Sequence, residues 1–141
     1  MHQRSLIMIP LLTLLGCAGQ RPADLGVHDA QLATCPSSPN CVSSADSRSS
    51  HYSAPISGSL AQIRQALRGM SAATIIREEE HYLYAEFTSA LMGFVDDVEF
   101  LELPATGSVQ VRSASRLGYS DLGANRQRIE TIREAVAKLA E

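Results

Sequence analysis

The 141-residue sequence contains no tryptophan, three phenylalanines and four tyrosines, so its core has to be largely aliphatic. It lacks the run of about twenty apolar residues that a membrane-spanning helix needs. The stretch from Leu6 to Leu15 is shorter than that, and Pro10 interrupts it. There is no basic stripe either: net charge is −3, and Arg126, Arg128, Arg133 and Lys138 are scattered along the C-terminal stretch. That excludes the electrostatic footprint of a nucleic-acid-binding protein. No Gly-x-Ser-x-Gly elbow is present, which leaves the many serines without a hydrolase context. Cysteine is scarce, with three residues and no Cys-x-x-Cys spacing.

What is present begins at the N-terminus. Met1-His2-Gln3-Arg4, the apolar run and the small residues near Cys17 follow the order of a secretory signal. Leu14-Leu15-Gly16-Cys17 resembles the bacterial lipobox. On that resemblance residues 1–16 are a removed signal peptide and Cys17 becomes the lipidated first residue, thioether-linked to diacylglycerol and N-acylated, for example by palmitate. Each buried acyl methylene contributes about 0.8 kcal/mol, so three chains hold a protein almost permanently. Ala18 and Gly19 follow, rather than the Asp that retains lipoproteins in the inner membrane. The expectation is an outer-membrane anchor facing the periplasm, with residues 17–23 as a lipidated tether.

The roughly 125 remaining residues make one domain. With Cys17 acylated, Cys35 and Cys41 are left in Cys35-Pro-Ser-Ser-Pro-Asn-Cys41. Export favours joining them, and Pro36 and Pro39 pre-set the turn. A redox pair is disfavoured by the gap. A zinc site needs two further ligands, and the flanking His28 and His51 fit no zinc spacing. No metal and no cofactor are expected.

Residues 18–34 have no sustained period and read as a tether, and residues 42–59 are serine-rich and read as surface loop or extended chain. A helix is expected over 59–70, with Leu60, Ile63, Leu67 and Met70 on one stripe, Ser57 or Ser59 as N-cap and Gly69 near its end. Strands are expected over 73–78, 81–89, 94–103 and 109–117, close enough in sequence to pair antiparallel. A second helix over 121–139, capped by Asp121, carries Leu122, Ile129, Ile132, Val136 and Leu139. The expected fold is α+β: a two-layer sandwich of four antiparallel strands and two amphipathic helices, in the order α-β-β-β-β-α, after an extended, disulfide-closed N-terminal segment.

One face of that sheet is not plainly solvent. Val95, Leu101 and Leu103 alternate onto the same side as Asp97 and Glu99, opposite Phe94, Asp96, Val98 and Phe100. Three explanations stand: a bulge near Asp96-Asp97, cover from the 35–57 segment, or a ligand or partner. With the last hairpin centred on Thr106, Asp96 falls opposite Arg116 and Phe100 opposite Arg112. Asp96, Asp97, Glu99, Arg112 and Arg116, with Tyr119, Asp121, Asn125 and Arg126 just beyond, form a polar group that reads first as a register-fixing ion-pair network. It reads second as a site for a small polar or anionic ligand, using arginines and a helix N-terminus, and third as paired carboxylates for acid–base chemistry. Glu78-Glu79-Glu80 reads as a solvated hairpin tip, and His51 and His81 as surface or cap residues.

Several strings along the chain are distinctive: Asp24-Leu-Gly-Val27, Cys35-Pro-Ser-Ser-Pro-Asn-Cys-Val-Ser-Ser44, Ala85-Glu-Phe-Thr-Ser89, Phe94-Val-Asp-Asp-Val-Glu-Phe100 and the run from Arg112 to Arg126. In these the sequence resembles the bacterial DUF1499 family, a domain of unknown function. The resemblance implies one domain from Asp24 to the C-terminus, 24–141, and assigns no activity. The reading is a lipid-anchored periplasmic binding or envelope-maintenance module. Its partners would be the membrane, through the anchor, and a small polar ligand or an envelope protein. The alternative is an enzyme acting on a small polar or anionic substrate through Asp96, Asp97, Glu99, Arg112 and Arg116.

Overall fold

The computed structural model describes residues 18–141; Cys17 and the apolar run before it lie outside them. Element order is β1 (Cys41–Ser43), β2 (Ile56–Ser57), α1 (Leu60–Arg68), β3 (Ala73–Glu78), β4 (Tyr82–Thr88), β5 (Val95–Leu103), β6 (Ser108–Ser115) and α2 (Ala124–Lys138). The fold is α+β, but the antiparallel sheet has six strands rather than four, ordered β1-β6-β5-β4-β3 with β2 also pairing β6. The two additional strands are only three and two residues long. Strands so short carry no readable alternation.

Helix α1 starts where the sequence directs it. Ser59 accepts from the Gln62 backbone N–H while the Gln62 side chain accepts from the Ser59 backbone, a reciprocal capping box. Its stripe of Leu60, Ile63, Ala66 and Leu67 packs with Ile129, Ile132 and Val136 of α2 on one face of the sheet, against Leu83, Ala85, Val98, Phe100, Val109 and Val111. Each Val, Leu, Ile or Phe among them contributes about 1.5–3 kcal/mol on full burial. Helix α2 differs at its start: the N-cap is Gly123, at φ 82, not Asp121. Asp121 instead accepts from the Gly123 and Asn125 backbone N–H groups, each at 2.9 Å. Leu122, expected on the buried stripe, falls outside the helix and is 97% exposed at φ 52.

The other face is closed by the N-terminal stretch. Leu25 and Leu32 pack on Tyr82, Tyr84, Leu101 and Leu103, so apolar strand positions that seemed to lack a partner are covered by residues that read as a tether. The start of the 35–57 segment adds to that cover, with Cys35 and Cys41 packed on Ala114, the cross-strand partner of Asp97 on this face. A bulge at Asp96-Asp97 is not involved: β5 pairs continuously on both sides, and the register break lies in β3 between Ile75 and Arg77. Residues 42–59 are also more buried than their serine content suggests. Ser43, Asp46, His51 and Ser53 are all inside, the first three with side chains that bond local backbone rather than water. Asp46 accepts from the Cys35 N–H at 3.0 Å, Ser43 donates to the Ala33 carbonyl at 2.8 Å, and His51 Nδ1 sits 3.0 Å from the Cys41 carbonyl. The Cys35–Cys41 disulfide is formed and fastens this segment beside β6.

Candidate functional site

Hairpin register decides which charges meet. The β5–β6 turn occupies 104–107, so pairing is centred between Ala105 and Thr106: Leu103 lies opposite Ser108, Glu99 opposite Arg112, and Asp96 opposite Ser115. The expected centre on Thr106 is off by half a residue, which shifts the pairing register by one. Side chains alternate with period two, so a one-residue slip moves a whole set to the other face. Asp96 and Arg116, expected as partners, therefore sit on opposite sides of the sheet.

On the face under the N-terminal stretch, Arg116 donates from Nε to Asp97 Oδ2 at 2.9 Å and from Nη2 to Asp97 Oδ1 at 2.7 Å and Glu86 Oε1 at 2.5 Å. Tyr84 donates its hydroxyl proton to Asp97 at 2.6 Å. Arg21, from the stretch expected as a tether, reaches Glu86 at 2.6 Å. Burial acts to raise the Glu86 pKa, but hydrogen bonds from Arg21, Arg116 and Tyr84 outweigh it and the net shift is downward. Arg116 is itself held more firmly protonated, chiefly by Asp97, and burial pushes the Tyr84 hydroxyl up.

Beside that cluster Glu99, with no solvent exposure, accepts at Oε1 from the Gly26 N–H at 2.7 Å and the Tyr82 hydroxyl at 2.8 Å. Arg112 is farther off, 3.5 Å from both Glu99 and Asp24, and its buried Nε has no partner. Burial without a close counter-charge raises the Glu99 pKa. These groups spend their hydrogen bonds on one another and on the N-terminal stretch. Chemically the arrangement fixes register and pins residues 21–26.

The remaining expected residues go elsewhere. Asp96 faces the helices and accepts from Arg128 Nη2 at 2.6 Å, while Arg128 lies over the Phe87 ring, 4.9 Å from its centroid. Asn125 is fully buried, accepting from Ser113 at 2.6 Å and donating to the Asn40 carbonyl, Ser115 and Asp121. Arg126 leaves the group altogether and donates to the Tyr52 and Ser50 carbonyls, at 2.8 and 3.0 Å. Tyr119 is 72% exposed. Tyr82, Tyr84 and Glu86 join the buried cluster without belonging to the expected group, and the sequence signal for them is their alternation with Leu83, Ala85 and Phe87, which sets them on the opposite face of β4. Nothing in the spacing of Arg126, Arg128, Arg133 and Lys138 distinguishes Arg128 as the partner of Asp96.

A cleft of about 390 Å³ is bordered by Arg21, Tyr82 and Tyr84 beside the buried cluster. Asp96, Arg128 and Asp121 line another, of about 410 Å³, between the ends of β4, β5 and β6 and the start of α2. Its walls are Phe87, Phe94, Val95, Leu117, Ala72 and Ala124, with Thr88, Ser89, Ser115 and Ser120 at the edges. That volume is within the range of small-molecule sites, and an apolar wall with a few converging polar groups is their usual composition. Among the described residues no group of three His, Cys, Asp or Glu side chains is placed to hold a metal ion, and no helix is long and apolar enough to cross a membrane.

Residues 31–136 match the family described as "Protein of unknown function (DUF1499)". No curated protein and no solved structure matches the chain.

Proposed function

The chain belongs to the DUF1499 family, and from that premise we propose that it is a lipid-anchored, periplasm-facing binding module of the outer membrane whose ligand enters the cleft beside Asp96 and Arg128. The cleft is the observation that carries the reading: it is the place where expected site residues, Asp96 and Asp121, border open space. Its mostly apolar wall favours a small molecule with an apolar body and one polar group. The Asp96–Arg128 pair would receive that group, since the start of α2 is already capped by the Asp121 carboxylate. The enzymatic reading draws less support, because Asp97, Glu99, Arg112 and Arg116 are engaged with one another and with the N-terminal stretch.

The anchor is tested by cell fractionation and acyl labelling. Wild-type protein should take up labelled palmitate and sediment with outer membranes, and Cys17→Ser should be unlabelled and soluble in the periplasm. Membrane retention of the Cys17→Ser protein would remove the anchor from the proposal.

A further inference from the structure

The two loops at the cleft end of the sheet, residues 89–94 and 117–124, contain one charged residue between them, Asp121, and its carboxylate is turned onto the start of α2. Their large apolar side chains point outward. Leu91 is 92% exposed and Leu122 97%, and Met92, Phe94, Leu117 and Tyr119 are exposed beside them. Ordinary soluble surfaces scatter such residues singly, and a cluster marks a contact site. Leu122 is in addition held at φ 52, a conformation that side-chain-bearing residues seldom adopt.

The opposite end of the sheet has a different character, since the β3–β4 turn presents Glu78, Glu79 and Glu80. The nine residues of β5, at about 3.3 Å each, put roughly 30 Å between the two ends. The chain also enters at the apolar end. Gly19 lies against Arg116 and Leu117, so closely that a Cβ there would come within 3.0 Å of Arg116 Cβ, and Cys17 precedes it by two residues.

We propose that this apolar rim is a membrane-docking face: Leu91, Met92, Phe94, Leu117, Tyr119 and Leu122 rest in the lipid interface, with the acidic turn pointing away. The proposal rests on the Cys17 anchor, because an acyl group two residues from Gly19 holds the rim against the bilayer. Tyr119 suits the headgroup level, and the leucines suit the acyl boundary. With no unpaired basic residue in either loop, docking does not depend on anionic lipid. It also opens the neighbouring cleft toward the bilayer, the phase from which an amphiphilic ligand would come.

The absence of tryptophan makes the test direct. Leu91→Trp and Leu122→Trp, each in the full chain with Cys17, are reconstituted into phosphatidylethanolamine vesicles with brominated acyl chains, beside a Thr106→Trp control at the far hairpin. Blue-shifted emission quenched several-fold more strongly at 91 and 122 than at 106, without added anionic lipid, is expected. Equal quenching at all three positions, or none, overturns the proposal. A blue shift that grows with protein concentration and is insensitive to bromine also overturns it, by placing a second copy on the rim. Intact mass of the same samples separates the two ideas. An acylated chain with unquenched reporters refutes docking and keeps the anchor, whereas an unacylated chain with quenched reporters keeps docking and refutes the anchor.

Discussion

Arg116 holds Asp97 at both carboxylate oxygens, from Nε at 2.9 Å and Nη2 at 2.7 Å, with the arginine side chain 7% exposed and the aspartate 1%. A buried pair of this kind is expensive to break, because removing one partner leaves the other charge unpaired out of water. Breaking it costs about 3–5 kcal/mol, whereas replacing both members is often close to neutral.

Arg116→Met is accordingly expected to lower unfolding stability by about 3 kcal/mol or more, measured by urea denaturation. Arg116→Met combined with Asp97→Leu should recover much of the loss. A single substitution within about 0.5 kcal/mol of wild type would mean that the cluster is solvated and does not organise the sheet.

Loss of the Cys35–Cys41 bond frees a short loop. The chain-entropy account puts the cost at about 2 kcal/mol, and the partners that this segment brings to β6 would add to it, among them the Ser115 N–H bond to the Asn40 carbonyl. The double Cys→Ser variant, compared with wild type under oxidising and reducing conditions, checks this. Equal stability in both conditions would show that the fold does not use the bond.

Acid should act on this fold with two opposite signs. Glu86 and Asp121 have pKa values below their ordinary 4.5 and 3.8. They bind protons more readily when unfolded, so their stabilisation is present above those values and is lost as pH falls through the folded-state pKa. Glu99 is raised above 4.5. Its folded form favours the proton, so its contribution is best at low pH and declines as pH rises through the folded-state value. Stability measured against pH for Asp121→Asn should therefore lack part of the acid loss. Relative to Glu99→Gln, wild type should lose ground as pH increases past 4.5. The same pH slope in wild type and Glu99→Gln would contradict a raised carboxyl at that position.

The buried amide of Asn125 joins α2 to the segment before β1 through the Asn40 carbonyl at 3.1 Å and to β6 through Ser113 and Ser115. Asn125→Leu keeps the branching at Cγ and removes every side-chain partner. Leaving buried donors and acceptors unpaired costs about 1–3 kcal/mol each. Amide hydrogen exchange should show the start of α2 and the Asn40 region opening together in this variant, and unchanged protection there would argue against the link.

The four long strands and both helices were legible because their periodicities are strong: Leu60, Ile63 and Leu67 on one helix, and Leu83, Ala85 and Phe87 on one strand. β1 and β2 were not, since Cys41–Ser43 and Ile56–Ser57 are too short to show a pattern. The serine-rich stretch around them is polar in composition yet buried, because Asp46 and His51 bond to backbone that only tertiary contact brings near. Pairing of Glu99 with Arg112 depended on whether the hairpin turned about Thr106 or half a residue before it, which composition does not encode. The cover that residues 24–34 give the sheet was illegible in their pattern for a related reason: Leu25 and Leu32 are isolated apolar residues whose partners, Tyr82 and Leu101, are far along the chain.

The central claim is an anchored module that holds a small molecule in the cleft by Asp96 and Arg128, and native mass spectrometry of protein extracted gently from membranes addresses it most directly. Wild type should appear as a chain beginning at acylated Cys17, with the Cys35–Cys41 bond intact and a co-purifying small molecule. Ala124→Trp, which fills the cleft from its wall, should carry the same acyl groups and no such molecule. An unacylated chain, or wild type and Ala124→Trp both carrying the molecule or both lacking it, would contradict the account.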